Sequence, residues 1–423
     1  MAFARRLIQS IFLSPGAIPP FHQRNFFLLY GDVAFWGILN GTTLTFLSVY
    51  AARQGASGTQ VGLIGAIPAM VTLLLALPSG NWLNNKPIHR SVVLTAVAAR
   101  FFYLLLAPLP FLLGRDAQPW AIILIVLVMT IPGTATAIGF QSLFALTVPD
   151  EWRAHVTGIR NAVLSISSTI AIFISGQVLT SIEFPYGYIW VFLAGFLGAL
   201  LSALCLWLIR VDKGREGGSP QAIAPAGSRI RSAFFDRGWL HIDLLKGKFG
   251  TVILLLFLFH LAQYLPIPVF PLFQVNYLHF SDEFISMGSA VFNLATFLGS
   301  TQLERISRRF NNQKIVGGGI LLLALYPGLM SQVNGLALFV VTSIIGGFAW
   351  SMVGGAIYNY LMDHVPMHGS PPYFAFYNLA LNAAILFGSL VGPLIAAQIG
   401  FVPALLLMAA GRFLSGAAIL KWG

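Results

Sequence analysis

Few residues in this sequence are charged, and only one is cysteine. Charged side chains make up 9% of the 423 residues, whereas 57% of the residues are hydrophobic. A typical soluble domain has about 25% charged residues. The single cysteine, Cys205, excludes an internal disulfide and argues against a thiolate metal site. The composition therefore predicts a protein that crosses a membrane many times.

The sequence also lacks the short motifs of common enzymes and pumps. It has no Gly-x-Ser-x-Gly motif, no phosphate-binding Gly-rich loop that ends in Lys-Ser or Lys-Thr, and no His-Glu-x-x-His motif. We therefore expect neither an enzyme nor a directly ATP-driven pump. We also expect no cofactor and no bound metal.

Long apolar runs predict twelve membrane-spanning helices. Lysine and arginine concentrate in alternate loops, so the net charge of +11 indicates orientation and contact with anionic lipid rather than nucleic-acid binding. We expect a multi-pass protein of the plasma membrane, or of the inner membrane in a bacterium, with both chain ends cytoplasmic. Pro266, Pro268 and Pro271 predict a kink in the seventh run. The runs lie at about residues 26–51, 60–79, 91–113, 118–142, 158–180, 187–210, 249–275, 284–303, 315–331, 335–361, 373–397 and 401–420.

Two stretches of the first half recur in the same order in the second half. The run FLSVYAARQGASGTQVGLIGAI aligns with FPLFQVNYLHFSDEFISMGSAV, and TVPDEWRAHVTGIRN aligns with HVPMHGSPPYFAFYN, which places Asn161 opposite Asn378. Such parallel repeats are found in transporter folds. We predict an all-α polytopic membrane protein with 12 transmembrane helices in two pseudo-symmetric six-helix bundles. The expected division is a cytoplasmic N-terminal segment (1–25), a first bundle (26–210), a cytoplasmic linker (211–248) and a second bundle (249–423).

The loop after the second predicted span has the sequence GNWLNNKPIHR, residues 80–90. Together with the repeats, this loop resembles the Gly-x-Leu-Ala-Asp-Arg-x-Gly-Arg-Lys pattern of the major facilitator superfamily, with Asn84 at the acidic position. An amide accepts a hydrogen bond there but brings no charge. The resemblance implies that this loop, its counterpart LERISRRFNNQK and the inner end of helix 5 act in gating. The expected gating residues are Gly80, Asn84, Lys86, Arg90, Arg160, Glu304, Arg305 and Arg308.

The same resemblance implies that helices 1, 4, 7 and 10 line a central cavity. Polar groups within a span are costly in hydrocarbon, so we expect them to face protein or water. In the first span, Asp32, Trp36, Asn40 and Thr43 share one predicted helical face. The expected substrate-binding residues are Asp32, Trp36, Asn40, Gln141, His260, Gln263, Tyr264, Trp350, Tyr358 and Asn359.

Asp32 has two possible roles, which depend on where Arg100 points. The two residues lie at similar depth in their spans, and a bridge between them would keep the carboxylate ionised and structural. If Arg100 faces elsewhere, burial favours the neutral acid, which suits Asp32 to carry a coupling proton. His260 is either a second protonation site or a hydrogen-bonded packing residue. The expected proton-coupling residues are thus Asp32, Arg100 and His260.

The resemblance implies a secondary active transporter that moves a small organic solute by alternating access. We expect a monomer that is coupled to protons and that exports its solute. The predicted cavity suits a neutral or amphipathic solute, or a lipophilic cation attracted by Asp32. The sequence also allows an anionic solute that Arg100 or Arg160 binds. Arg160 could instead close the cavity floor or extend to the interface. An uncoupled facilitator also fits the sequence, and so does a non-transporting sensor or scaffold, which the altered loop at Asn84 favours.

Overall fold

The computed structural model describes residues 20–84, 86–211, 247–365 and 371–423, and the regular structure in these ranges is entirely helical. Most of the predicted N-terminal segment and linker lies outside the described residues, so their boundaries stay predictions. Eleven of the twelve long helices described are long and apolar enough to cross a membrane. The other is the helix Asp282–Ser300, whose polar residues include Asn293 and Thr296.

The long helices and their continuations are α1 (Pro20–Leu39, Asn40–Leu44 and Thr45–Arg53), α2 (Gly58–Asn84), α3 (Ile88–Phe101 and Phe102–Leu106), α4 (Gln118–Thr147), α5 (Asp150–Ser181), α6 (Tyr186–Leu208), α7 (Lys248–Tyr264, Val269–Leu272 and Phe273–Tyr277), α8 (Asp282–Ser300), α9 (Asn312–Met330), α10 (Leu336–Met362), α11 (Pro371–Ile399) and α12 (Phe401–Trp422).

The packing of these helices repeats between the two halves of the chain. Helix α1 packs on α5 and α6, just as α7 packs on α11 and α12. Likewise α4 packs on α2 and α3, and α10 packs on α8 and α9. Across the halves, α2 meets α11 and α5 meets α8. This arrangement confirms the predicted fold of two pseudo-symmetric six-helix bundles.

Helices α1 and α7 are both irregular, and α7 is interrupted after Tyr264, at the predicted prolines. A proline lacks the N–H group and sterically disfavours the preceding turn, which explains the interruption. In α1, residues Asn40–Leu44 form a π turn, which adds a residue to the helical repeat. The stripe predicted from Asp32 to Thr43 therefore does not continue beyond Asn40. Thr43 is fully buried and lies against Gly195 of α6 instead.

The two halves are in contact mainly at one end of the molecule. We call the end at which α1 begins and α12 ends the terminal face, and the other end the opposite face. Near the opposite face, Gly62 of α2 lies directly against Ser389 of α11, and Gly176 of α5 lies against Ser286 of α8. Near the terminal face, the polar residues Gln141, Asn359 and Asn378 are exposed. Because these close contacts lie near the opposite face and the polar groups near the terminal face are uncovered, we infer that the halves separate toward the terminal face.

A glycine substitution tests the close packing of α7 on α11. A methyl group at Gly392 would overlap the backbone carbonyl of Leu265, which cannot move as a side chain can. We expect Gly392→Ala to lower the free energy of unfolding by about 1–3 kcal/mol. Gly318→Ala is the matched control, because nothing lies within 4 Å of the added atom. Thermal unfolding in detergent measures both variants, and equal midpoints would contradict the described packing.

Candidate functional site

A buried group of four polar side chains joins α1, α3, α5 and α6. Asp32 Oδ1 lies 3.6 Å from Arg100 Nη2, and Asp32 Oδ2 lies 3.3 Å from Arg160 Nη2. The Ser202 hydroxyl donates a 2.6 Å hydrogen bond to Asp32 Oδ1. Asp32 is 4% exposed and Ser202 is fully buried. We call these four residues the Asp32 cluster; of the two arrangements that the sequence left open, the ion-paired one is present in this structure.

The Asp32 cluster carries one negative and two positive charges, so its formal charge is positive. Both arginines also have a terminal nitrogen, Nη1, that is buried without a hydrogen-bond partner. Aromatic rings cover part of this excess charge. The Arg100 guanidinium lies 5.3 Å from the centre of the Trp36 ring, and that of Arg160 lies 4.6 Å from the centre of the Phe140 ring. Such cation–π contacts offset only part of the cost of burying a cation, whereas a counter-ion neutralises its charge.

The second half has a related but uncharged pair. His260 Nε2 of α7 lies 3.1 Å from the Tyr377 hydroxyl of α11, and the His260 Nδ1 atom is buried without a partner. Helices α7 and α11 correspond to α1 and α5, which hold Asp32 and Arg160. The repeat that aligns Asn161 with Asn378 also places Arg160 opposite Tyr377. The two halves thus link equivalent helices with a charged pair in one case and an aromatic pair in the other.

Aromatic side chains of α7, α10 and α11 surround the His260 pair. The ring centre of Tyr377 lies 5.6 Å from that of Tyr358, and the ring centre of His260 lies 6.4 Å from that of Tyr264. Tyr358 is 50% exposed, so it borders the open space near the terminal face. We call His260, Tyr264, Tyr358 and Tyr377 the aromatic cluster.

The remaining predicted substrate-binding residues occupy varied positions. Gln141 and Asn359 are exposed near the terminal face, and Asn40 is half-buried in the π turn of α1. Trp350 packs against the apolar core of the second half. Gln263 accepts a hydrogen bond from Arg412 through its backbone carbonyl, while its side-chain Oε1 is buried without a partner.

The predicted gating residues of the loops lie at the terminal face. Arg308 and Glu304 form a 2.7 Å ion pair within one exposed loop, so this pair does not join two long helices. Arg305 donates a hydrogen bond to Gln302 of the same loop. Lys86 lies over the Trp82 ring at 4.9 Å. Arg90 is exposed and Gly80 is buried, while the Asn84 side chain lies outside the described residues.

At the opposite face, three side chains that were not predicted as site residues hold the two halves together. Arg53 at the end of α1 forms a 2.7 Å ion pair with Asp282 at the start of α8. The Tyr188 hydroxyl of α6 donates a 2.8 Å hydrogen bond to the same carboxylate oxygen. Arg53 also donates to the Phe280 carbonyl across the halves. We call Arg53, Tyr188 and Asp282 the latch; its members lie far apart in the sequence, and no motif indicates that they meet.

Substitutions in the Asp32 cluster test how the buried charges are balanced. Asp32→Asn leaves two arginines without a carboxylate, so we expect a loss of about 3 kcal/mol or more in the free energy of unfolding. Ser202→Ala is the control that keeps all charges; it removes one hydrogen bond to a charged group, which is worth about 1.5–3 kcal/mol. Denaturant or thermal unfolding measures both. An Asp32→Asn protein as stable as the wild type would contradict the ion-paired arrangement.

The chain is similar to solved structures of membrane transporters. It matches the nucleoside transporter NupG with a TM-score of 0.67 and 15% identity, covering 96% of this chain and 99% of that one. The match to the partially occluded inward-open structure of the xylose transporter XylE from E. coli has a TM-score of 0.68 and 13% sequence identity. It covers 96% of this chain and 98% of that one. The match to an inward-facing bacterial homolog of the human lysosomal transporter Spinster has a TM-score of 0.65 and 17% sequence identity. It covers 96% of this chain and 99% of that one. At these identities the likeness shows the fold.

Sequence comparison extends this result. No curated protein is similar enough in sequence to count as a match. The sequence profile of the Major Facilitator Superfamily, however, matches residues 33–254 and 252–422, which together cover nearly the whole chain. The protein therefore belongs to the Major Facilitator Superfamily.

Proposed function

We propose that this protein is a secondary active transporter that moves a small organic solute across the membrane by alternating access. The observation that carries the proposal is the contrast between the two faces. The latch joins the halves at the opposite face, while the space between them is open at the terminal face. A transporter with two parallel repeats is expected to alternate by rocking one bundle against the other.

The latch suits a contact that breaks and reforms during such a cycle. Arg53 and Asp282 retain 23% and 12% exposure of their side chains, so water reaches both groups. A partly exposed ion pair contributes modestly to stability, because solvent screens it. Opening the opposite face therefore has a moderate cost, which solute binding or protonation can offset. The positive-inside prediction makes the described state the one that is open to the cytoplasm.

Protons are the proposed coupling ion. The two ion pairs keep Asp32 ionised in the described state, and we propose that Asp32 takes up the coupling proton when the halves move and these pairs separate. Protonation removes the only negative charge of the Asp32 cluster and leaves Arg100 and Arg160 to repel each other. The same step weakens the contacts that hold α3 and α5 against α1. Proton binding is thereby linked to the arrangement of helices around the open space, which is what coupling requires.

The solute is proposed to be small, organic and amphipathic, and export is the proposed direction. The exposed residues Gln141, Tyr358 and Asn359 combine amide groups with an aromatic surface. Asp32 is already engaged by two arginines and is 4% exposed. The cluster therefore argues against a lipophilic cation, which would need a free carboxylate.

Cysteine labelling tests alternating access without knowledge of the solute. In a Cys205→Ser background, Gln141→Cys reports on the terminal face and Leu272→Cys, which is 4% exposed in the described state, reports on the opposite face. We expect Asp282→Asn to open the opposite face, raising maleimide labelling at position 272 and lowering it at position 141. Glu304→Gln is the control, because it breaks an ion pair within one loop. Unchanged labelling at both positions would contradict the proposed gate.

Flux measurements in proteoliposomes test proton coupling. For a solute found by thermal-shift screening, we expect a pH gradient to drive accumulation in the wild type. Asp32→Asn should abolish gradient-driven accumulation, because an amide at this position neither takes up nor releases a proton. Exchange of labelled for unlabelled solute at equal pH should continue, which shows that the variant is folded. Accumulation at the wild-type level in Asp32→Asn would refute coupling at this residue.

A further inference from the structure

We propose that the transported solute is an organic oxyanion, a carboxylate or a phosphate on an aromatic body, and that Arg160 binds its negative group. This inference rests on the proposed transport function and specifies its substrate class. It follows from the charge of the Asp32 cluster, the position of Arg160 and the composition of the aromatic cluster.

The Asp32 cluster lacks one negative charge. Two guanidinium groups share a single carboxylate, and each keeps a buried Nη1 atom without a hydrogen-bond partner. A buried cation is costly unless it is paired, and an unmade hydrogen bond to a charged group adds to that cost. An oxyanion at Arg160 would supply the missing charge and an acceptor for the Arg160 Nη1 atom. Guanidinium groups bind carboxylate and phosphate especially well, because their N–H groups match the spacing of the oxygens.

Arg160, rather than Arg100, is the arginine placed to meet the solute. Arg100 lies on α3 and packs against Trp36 inside the first bundle, with its side chain 6% exposed. Arg160 lies on α5, which packs against α8 of the other half, and its side chain is 14% exposed. It also contacts Phe140 of α4, next to the exposed Gln141. Arg160 is therefore at the border between the buried cluster and the open space, whereas Arg100 is behind it.

The aromatic cluster of the second half offers aromatic surface without charge. The aromatic cluster contains three tyrosines and one histidine, and Tyr358 is half exposed. Aromatic side chains bind planar rings through offset or edge-to-face contacts, and tyrosine hydroxyls also donate hydrogen bonds. Arg160 and Tyr377 occupy aligned positions of the two repeats, on α5 and α11. A solute between the halves would thus meet a cation on one side and rings on the other.

A set of ring-matched probes tests the substrate class. We would measure thermal unfolding of the full-length protein in detergent with benzoate, phenyl phosphate, benzamide, benzylammonium and acetate at constant ionic strength. A ligand that binds the folded state raises the midpoint with concentration. We expect benzoate or phenyl phosphate to bind at least tenfold more tightly than benzamide and benzylammonium. The comparison of the affinities for benzoate and phenyl phosphate distinguishes a carboxylate site from a phosphate site. The affinity for acetate shows whether binding needs the aromatic ring.

Variants locate the site. Arg160→Gln should reduce the affinity for the preferred anion at least tenfold, whereas Arg160→Lys should retain part of it. Arg308→Gln is the matched control, since Arg308 is exposed in a loop of the terminal face. Tyr358→Ala should weaken binding of benzoate more than binding of acetate. This surface residue provides a second measurement if Arg160→Gln does not fold.

Three outcomes would overturn the inference. In the first, benzamide or benzylammonium raises the unfolding midpoint as much as the anions do, or more. In the second, neither anion raises the midpoint of the wild type. In the third, the anion raises the midpoint of Arg160→Gln as much as that of the wild type. The cysteine-labelling experiment uses no solute, so it separates the two proposals. If labelling shows two states while the anions do not bind preferentially, the substrate class is wrong and alternating access stands.

Discussion

The pairing of Asp32 with two arginines is the interaction on which the first bundle depends. A charged group in the centre of a bilayer costs at least about 2.5 kcal/mol on insertion scales, so each of the three charged side chains requires a partner. Because the partners come from α1, α3 and α5, and Ser202 from α6, their contacts determine how these helices are rotated about their own axes. Apolar packing alone would allow several such rotations.

The second bundle stabilises its buried arginine in a different way. Arg412 of α12 is 1% exposed and donates hydrogen bonds to the backbone carbonyls of Leu323 in α9 and Gln263 in α7. These helices correspond to α6, α3 and α1 of the first bundle. Two backbone carbonyls therefore take the place of a carboxylate as acceptors, while the Arg412 Nε atom is buried without a hydrogen-bond partner. In the proposed mechanism, the first bundle holds the carboxylate that takes up the proton, and the second bundle provides aromatic surface for the solute.

Much of the fold could be predicted from the sequence, because span length and loop charge are local properties. The apolar runs predicted the twelve long helices, and the prolines predicted the interruption in α7. Most helix ends were placed correctly to within five residues, but α1 begins at Pro20 rather than near residue 26, α3 ends at Leu106 rather than near 113, and α5 begins at Asp150 rather than near 158. The contact of Asp32 with Arg100 was also foreseeable, since depth along a helix can be counted from its ends. The contacts with Arg160 and Ser202 were not, because they depend on how four helices are rotated about their own axes. The latch could not be predicted either, since Arg53 and Asp282 meet only after the two halves have docked.

The central claim is that the two halves rock against each other, so that the opposite face opens while the terminal face closes. Distances between pairs of spin labels test it most directly, with one pair at Arg115→Cys and Asn334→Cys on the opposite face and one at Arg90→Cys and Arg308→Cys on the terminal face, all exposed. Both pairs would be measured in the Cys205→Ser background with and without Asp282→Asn. The account predicts that Asp282→Asn lengthens the opposite-face distance and shortens the terminal-face distance. Two distances that stay constant, or that change in the same direction, would contradict it.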